Sequence, residues 1–433
     1  MNGIKYRSAD EMKDSGIEWI GRIPKYWTPV FLKRYSQINN GREIEDEDKD
    51  IEKPVPVFGS GGEFKRTSRV LHDGESVLFG RKGTIGKVLY VNGKFWTVDT
   101  MYYLTFSRQA FPRFVYFQLG QFPWNMITTQ TALPSVVGSD VKNSYFVFPD
   151  VTEQRKIANF LDIKTAQFDS IIAKKEQLIA KLEEAKKSLI SEVVTGKVKI
   201  VDGKLVPRQP EEMKDSGVEW LGMIPKEWSV RKFSHIIAIA NGQVDPRISP
   251  FKEMILIAPN HIESNTGRIL NLQSAEDQSA DSGKYFCDKG DVIYSKIRPA
   301  LCKACIAPMD CLTSADMYPM KADKKLLMNE WFLMILLSDN FTSAVILDSD
   351  RVAMPKVNRD SLSSYKLPVP SLLEQKSILS LIVTKQFEMD SVLEKTNLQI
   401  SLLKSAKQSL ISEAVTGKID LRDWEINEQG GAS

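Results

Sequence analysis

Two stretches of the chain carry apolar residues on alternating three- and four-residue steps. In the first, from about Thr152 to Val194, the rhythm runs through Ile157, Leu161, Phe168, Ile171, Leu178, Leu182, Ala185 and Leu189, with Lys164 and Lys175 breaking the seam. Adding 221 to each number gives the second stripe: Ile378, Ile382, Met389, Val392, Gln399, Leu403, Ala406 and Leu410. Gln399 is its weak member, flanked by Leu398 and Ile400. A heptad stripe sustained over several turns predicts a long coiled-coil helix. Neither stretch contains Pro or Gly before Gly196 and Gly417, which stand where a helix would stop. A helix of about 40 residues spans roughly 60 Å and must bury its stripe. Two copies in one chain are the obvious partners for each other.

The starts of these helices repeat as well. FVFPDVTEQRKI (Phe146 to Ile157) and LPVPSLLEQKSI (Leu367 to Ile378) end extended chain at Pro149 and Pro370. Thr152 is a candidate N-cap, and Glu153–Gln154 and Glu374–Gln375 put an acid in the first turn, where the helix dipole favours it. Capping explains these acids better than chemistry does. The regions at about 28–148 and 229–369 alternate short β-rich runs such as SVLFG, KVLYV, DVIYSKI and KACIA with Gly and Pro punctuation.

Two further phrases occur twice. EMKDSGIEWIGRIPKYW (Glu11 to Trp27) returns as EMKDSGVEWLGMIPKEW (Glu212 to Trp228), with 13 of 17 positions identical. KSLISEVVTGK (Lys187 to Lys197) returns as QSLISEAVTGK (Gln408 to Lys418), with nine of 11 identical. A period near 200 residues is far beyond that of solenoids and marks duplicated domains. The expected fold class is α+β, a pseudo-two-fold internal repeat of two mixed, β-rich domains separated by a pair of long antiparallel coiled-coil helices. The expected segments are 1–150 for the first domain, 151–200 for the first long helix, 201–370 for the linker VDGKLVPRQPEEM and the second domain, and 371–433 for the second long helix and a tail. The second half holds more residues between its phrases, so its variable part is expected to be larger.

Composition adds bounds. The chain has 433 residues, 42% hydrophobic and 26% charged, and a net charge of +3. That balance is too weakly basic to establish nucleic-acid binding, which would need charge clustered in loops. No apolar run reaches the length of a membrane span, and the polar start MNGIKYRSADEMKDSG lacks the apolar core of a signal peptide, so a cytoplasmic location is expected. The four cysteines, Cys287, Cys302, Cys305 and Cys311, include one C-x-x-C in the apolar run LCKACIA. Read as a strand, that run would point Cys302 and Cys305 to opposite faces, which favours buried free thiols over zinc.

Chemistry is sparse. FGRKGTIGKV (Phe79 to Val88) looks like a phosphate loop but has Arg81 where the Walker pattern needs Gly and Val88 where it needs Ser or Thr. It remains a glycine-rich turn carrying Arg81, Lys82 and Lys87, suited to close approach of a phosphate backbone. Its counterpart YSKIRPALCKA (Tyr294 to Ala304) carries Lys296, Arg298 and Lys303. Downstream, FWTVDTMYY matches CLTSADMYP through Thr97/Thr313, Met101/Met317 and Tyr102/Tyr318, and TALPSV matches VAMPKV through Pro134/Pro355 and Val136/Val357. The two middles are therefore related folds with diverged loops. His72, His235 and His261 form no metal-spaced cluster, and His72 suits a structural role. Pro149–Asp150 with Glu184-x-Lys186 imitates a nuclease signature, but the latter pair lies on the helix.

In this order of parts the chain resembles the specificity subunit of type I restriction–modification systems over nearly its whole length. The likeness is carried by MKDSGIEWIGRIPKYW, the P-x-x-x-EQ helix starts and LISEVVTGK, each present twice, and by FGSGG (Phe58 to Gly62), GRKGTIGKV and TALPSV. The resemblance implies two target-recognition domains that read a bipartite, asymmetric double-stranded DNA target, joined by two conserved helices that pair antiparallel. It implies no catalytic site and no cofactor in this chain. Two methyltransferase subunits, and restriction subunits in the full complex, are the implied partners; S-adenosylmethionine, ATP and Mg are expected on those partners only. The expected DNA contacts are Arg81, Lys82, Lys87 and Ser135 in the first half and Lys296, Arg298, Arg351 and Lys356 in the second. A paired helical spacer would act as a ruler, so shortening both helices by one turn should change the tolerated spacing of the half-sites. The competing readings are a coiled-coil protein adaptor that does not read DNA and an enzyme with an unrecognised site.

Overall fold

The structure, a computed structural model, describes residues 4–44, 54–129, 132–349 and 356–425. The chain divides into two compact units: Met1–Lys175 with Asn397–Ser433, and Glu176–Thr396. The two are built alike. In the first unit the strands Ser36–Asn40, Met101–Phe106, Ser76–Gly80 and Val88–Val91 lie side by side in one antiparallel sheet. In the second, Ile237–Ile239, Met317–Ala322, Val292–Ser295 and Ala304–Ile306 take the same order. Each unit has a second, mixed sheet in which one pair is parallel, Val57 beside Trp96 and Leu256 beside Leu312. The larger middle of the second half is accounted for mainly by residues 258–291, which stand where the first unit has the hairpin strand Gly62–Thr67 and its flanks.

The repeated phrase folds the same way twice. Met12–Asp14 pairs with Arg22–Pro24, and Met213–Asp215 with Met223–Pro225, in the same register. Its last residue, Trp27 or Trp228, is buried in the core of its unit. Burial of an indole leaves its N–H needing an acceptor. Glu153 Oε2 accepts from Trp27 at 3.3 Å, and Glu374 Oε2 accepts from Trp228 at 2.9 Å. The same carboxylates pair with Arg7 at 2.7 Å and Arg208 at 2.6 Å. These acids therefore do more than complement a dipole: Glu153 is a buried ion-pair partner. The neighbouring glutamines are fully buried ties. Gln154 accepts the Phe111 N–H and donates to the carbonyls of Gln109 and Pro149. Gln375 accepts the Met328 N–H and donates to those of Leu326 and Pro370.

Both long helices form, Val151–Val194 and Leu372–Val415. The cap of the first is Asp150 rather than Thr152: Asp150 Oδ1 accepts the N–H groups of Thr152 and Glu153 at 2.9 and 3.0 Å, and Ser371 Oγ accepts that of Glu374 at 3.2 Å in the second. Gly196 (φ +69°) and Gly417 (φ +73°) terminate them as expected. These positions also exclude a side chain, because a Cβ on Gly196 would sit 2.3 Å from Pro225 Cδ, and one on Gly417 would sit 2.7 Å from Pro24 Cδ.

The helices pair antiparallel within each unit. In the first unit Lys175 bonds Gln399 at 2.6 Å while Asp169, one to two turns earlier, meets Lys407 at 2.7 Å. The second unit repeats the latter pair as Lys186–Asp390 at 2.6 Å. The stripe expected from apolar spacing is correct at its ends and out of register in the middle. Ile171, Leu178, Ala185, Val392 and Gln399 are exposed, and Ile172, Ile179 (half-buried), Thr396 and Ile400 take the inward positions. The inward seam admits Thr165 and Thr396, whose hydroxyls bond the carbonyls of Leu161 and Val392, and Lys186 and Lys407, whose charges are met by the facing helix. Counting only apolar residues therefore shifted the register.

Candidate nucleic-acid interface

The glycine-rich turn begins where the inner strand Ser76–Gly80 leaves its sheet. Arg81 N–H donates to the Thr100 carbonyl at 2.8 Å, and the Arg81 carbonyl accepts from Val136 N–H at 2.9 Å. Pinned on both sides, Arg81 places its guanidinium 5.8 Å from the centre of the Tyr102 ring. The next residue, Lys82, forms an antiparallel bridge with Ser135. Successive side chains of extended backbone point to opposite faces, and directly opposed residues share a face. Lys82 and Ser135, directly opposed across the bridge, therefore share a face, and Lys82 is exposed there. Gly83 and Gly86, at φ +85° and +84°, then reverse the chain, and a strand (Val88–Val91) follows rather than the helix that a nucleotide-phosphate loop would open.

The second unit rebuilds this arrangement with other residues. Lys296 N–H donates to the Asp316 carbonyl at 2.9 Å, its carbonyl accepts from Val357 N–H at 2.8 Å, and its ammonium lies 5.7 Å from the centre of the Tyr318 ring. Ile297 bridges Lys356 as Lys82 bridges Ser135. Arg298 (φ +48°) and Cys302 (φ +45°) adopt the left-handed conformation that Gly83 and Gly86 supply in the first unit. For residues other than glycine that conformation costs on the order of 1 kcal/mol. Burial raises the Tyr318 phenol, opposed by Arg359, and its hydroxyl donates to the Val357 carbonyl at 3.1 Å.

The expected contact residues thus separate by position. Arg81 and Lys296 are half-buried on tyrosine rings, whereas Lys82, Arg298 and Lys356 are exposed and Ser135 is half-buried, bonded to Thr129. Lys87 is exposed, but its ammonium donates to the Gly61 carbonyl and fastens the turn to the FGSGG segment. Lys303 does the same job through the Pro259 carbonyl at 2.6 Å. Arg351 lies outside the described residues. Sequence reasoning missed Arg359, which lies 5.3 Å from the Tyr318 centroid and 5.9 Å from that of Tyr285 and donates to the Ala240 carbonyl at 2.6 Å. Its first-unit counterpart is Gly138, so comparing the halves for shared residues passes over it.

The remaining candidate groups are built into cores. Cys305 lies in a strand with Cys287 and Cys311 around it in one buried cluster, while Cys302 stands just before that strand, with its thiol by Leu336 and Thr342. The strand is shorter than the run LCKACIA suggests, so the two thiols are separated by a turn as well as by pleat. Burial pushes the Cys305 thiol up to about 12, where it is unreactive. Among the described residues no group of three His, Cys, Asp or Glu side chains is placed to hold a metal ion. His72 packs edge-on to Phe95, and His261 Nδ1 accepts the Ala258 N–H. No single helix among the described residues is long and apolar enough to cross a membrane.

Comparison with known proteins bears on this arrangement. The profile of the family described as type I restriction modification DNA specificity domain matches residues 24–184 and again 225–400. The chain is 27% identical to the type I restriction enzyme EcoDI specificity subunit of Escherichia coli, over 92% of this chain and 90% of that protein. It is 22% identical to the MjaVIII specificity subunit of Methanocaldococcus jannaschii, over 68% and 67% of the two chains. A solved structure described as the structural basis of complex assembly and conformational transition of the type I R-M system superposes with a TM-score of 0.67 at 16% identity, covering 92% of this chain and 99% of that one.

Proposed function

The chain belongs to the type I restriction modification DNA specificity family, and from that premise we propose that its two units read the two halves of one bipartite DNA target for a methyltransferase complex. The observation that carries this reading is the recurrence of one loop scaffold, a cation stacked on Tyr102 or Tyr318 beside an outward bridge, with different outward residues in each unit. Direct base reading needs donors and acceptors displayed from a fixed frame, and both turns are pinned by main-chain bonds on two sides. Dissimilar outward residues suit dissimilar half-sites.

The chain itself is non-catalytic in this reading. It recruits two methyltransferase subunits, with restriction subunits joining the full complex in the cytoplasm. S-adenosylmethionine, ATP and Mg belong to those partners. A coiled-coil adaptor would have no use for two diverged loops on one retained frame, and the family's description is of DNA specificity.

The test is methylome sequencing of a host expressing the chain with its cognate methyltransferase subunits, with and without the chain. A methylated two-part motif that depends on the chain is expected. Its absence would remove the proposal. Binding of the assembled complex to duplex DNA should weaken linearly in log–log terms as salt rises, by a slope of about 0.9 for each phosphate contacted.

A further inference from the structure

The proposed DNA-reading function leaves open which loop residues read bases and which hold the backbone. We propose that the positions on the bridges, Lys82 and Ser135 in the first unit and Ile297 and Lys356 in the second, together with Arg298 just beyond the second bridge, discriminate bases, and that Arg81 and Lys296 anchor phosphates. This inference rests on the function proposed above.

The division follows from comparing the two loops position by position. Arg81 and Lys296 occupy one place in both: cation over tyrosine, N–H and carbonyl both bound to main chain. A group that is the same in two readers of different sequence carries no information about that difference. What it supplies is a fixed positive charge, which suits a phosphate. The bridge positions behave oppositely. The cation stands on one side of the bridge in the first unit (Lys82 opposite Ser135) and on the other in the second (Ile297 opposite Lys356). Exchanging Ser for Lys and Lys for Ile replaces hydroxyl, ammonium and alkyl groups at fixed places, which alters the donor pattern offered to base edges.

Arg298 adds an independent observation. It holds a left-handed conformation at the place where the first unit has Gly83. Glycine would meet that backbone without strain, so the fold gains nothing from arginine there. The side chain is exposed. Strain kept at an exposed cation on a pinned turn points to use of the side chain, and arginine is the residue best shaped to grip the O6/N7 edge of guanine.

Three variants of the chain, each assembled with its methyltransferase subunits, test the division. The charge-neutral double exchange Lys82→Ile with Ser135→Lys should change the preferred base in one half-site and leave the other as in the parent. Arg298→Gly should relax the other half-site roughly 10- to 100-fold while melting temperature stays the same or rises. Arg81→Gln should leave the motif unchanged, weaken binding to all duplexes, and make the salt slope shallower by about 0.9. The division is overturned if the first two variants leave both half-sites unaltered, or if Arg81→Gln changes the motif. Loss of all methylation in both of the first two variants overturns it as well, since their undisturbed half-site should still be read. A parent complex with no two-part motif would instead refute the DNA-reading function itself.

Discussion

In the second unit, Val198–Val201 and Lys204–Pro207 form a hairpin joined by the turn Asp202–Gly203. In the first unit the same pairing is reduced to an antiparallel bridge, Tyr6 with Ile419, between segments far apart in the sequence. Arg7 N–H donates to Lys418 O at 2.9 Å, as Arg208 N–H donates to Lys197 O at 2.8 Å, and Asp420 N–H donates to Lys5 O. One unit closes this pairing through the chain and the other closes it by contact alone. The contact-closed version carries more charge. Arg7 pairs with both Glu153 and Asp420, and Arg422 pairs with Asp420 and Glu11. The hairpin version has Arg208 on Glu374, with the exposed Glu227 at 4.0 Å, and a single Lys199–Glu212 pair at the place of Asp420 and Glu11. A covalent turn removes the entropy of bringing two strands together; without it, side chains must supply the hold.

The sharpest way to break this comparison is to remove the acid under each arginine. Glu153→Ala leaves the Arg7 guanidinium, 1% exposed, without the nearer of its two carboxylates, and is expected to cost about 3 kcal/mol in urea denaturation. Glu374, 25% exposed beside Arg208, should cost less on the same change. Equal costs would show that the extra charge in the first unit is incidental.

A second contrast concerns the helix ends. Gly196→Ala and Gly417→Ala both meet a proline and a positive φ, and each should cost about 2–3 kcal/mol. Gly196→Ala should be the worse, since its approach to Pro225 is 2.3 Å against 2.7 Å for Gly417 and Pro24. Melting temperatures of the two variants decide the order.

Acid should weaken the first closure. Bonding to Arg422, with Arg7 adding to it, lowers the Asp420 carboxyl from the ordinary carboxylate value to about 2. A depressed carboxyl contributes stability above its unfolded pKa and loses it as pH falls through the folded value. Protection of the Arg7 and Asp420 amides against hydrogen exchange, relative to the unfolded chain, should therefore fall between about pH 4 and pH 2, and Asp420→Asn should flatten that response.

The mildest change is to cut the turn that the first unit does without. With a protease site placed at Asp202–Gly203 and cleaved, the two pieces should stay associated in gel filtration and separate only on denaturation, because each unit shares its core between segments the cut leaves packed. Dissociation in native buffer would mean that the hairpin needs its turn.

Much of the fold was legible in the sequence. The two long helices, their glycine stops and the relatedness of the two middles all came from repetition and periodicity. Less of the interface was legible. The clusters around Arg81 and Lys296 stood out as charge in glycine- or proline-containing turns, but Arg359 did not, because Gly138 replaces it in the other half. Lys87 looked like a free cation, and only folding showed its ammonium tied to the FGSGG turn.

What the sequence determined by itself was the set of parts, since apolar spacing, helix stops and turn residues act over a few positions and leave their mark in order. Which part closes on which was decided in three dimensions. The seam of the long helices admits Lys186 and Lys407 because Asp390 and Asp169 face them from the other helix, and the Arg7 segment finds Glu153 and Asp420 far along the chain. A charged residue is an inward residue only when a partner from elsewhere satisfies it, and that partner is invisible to any local pattern.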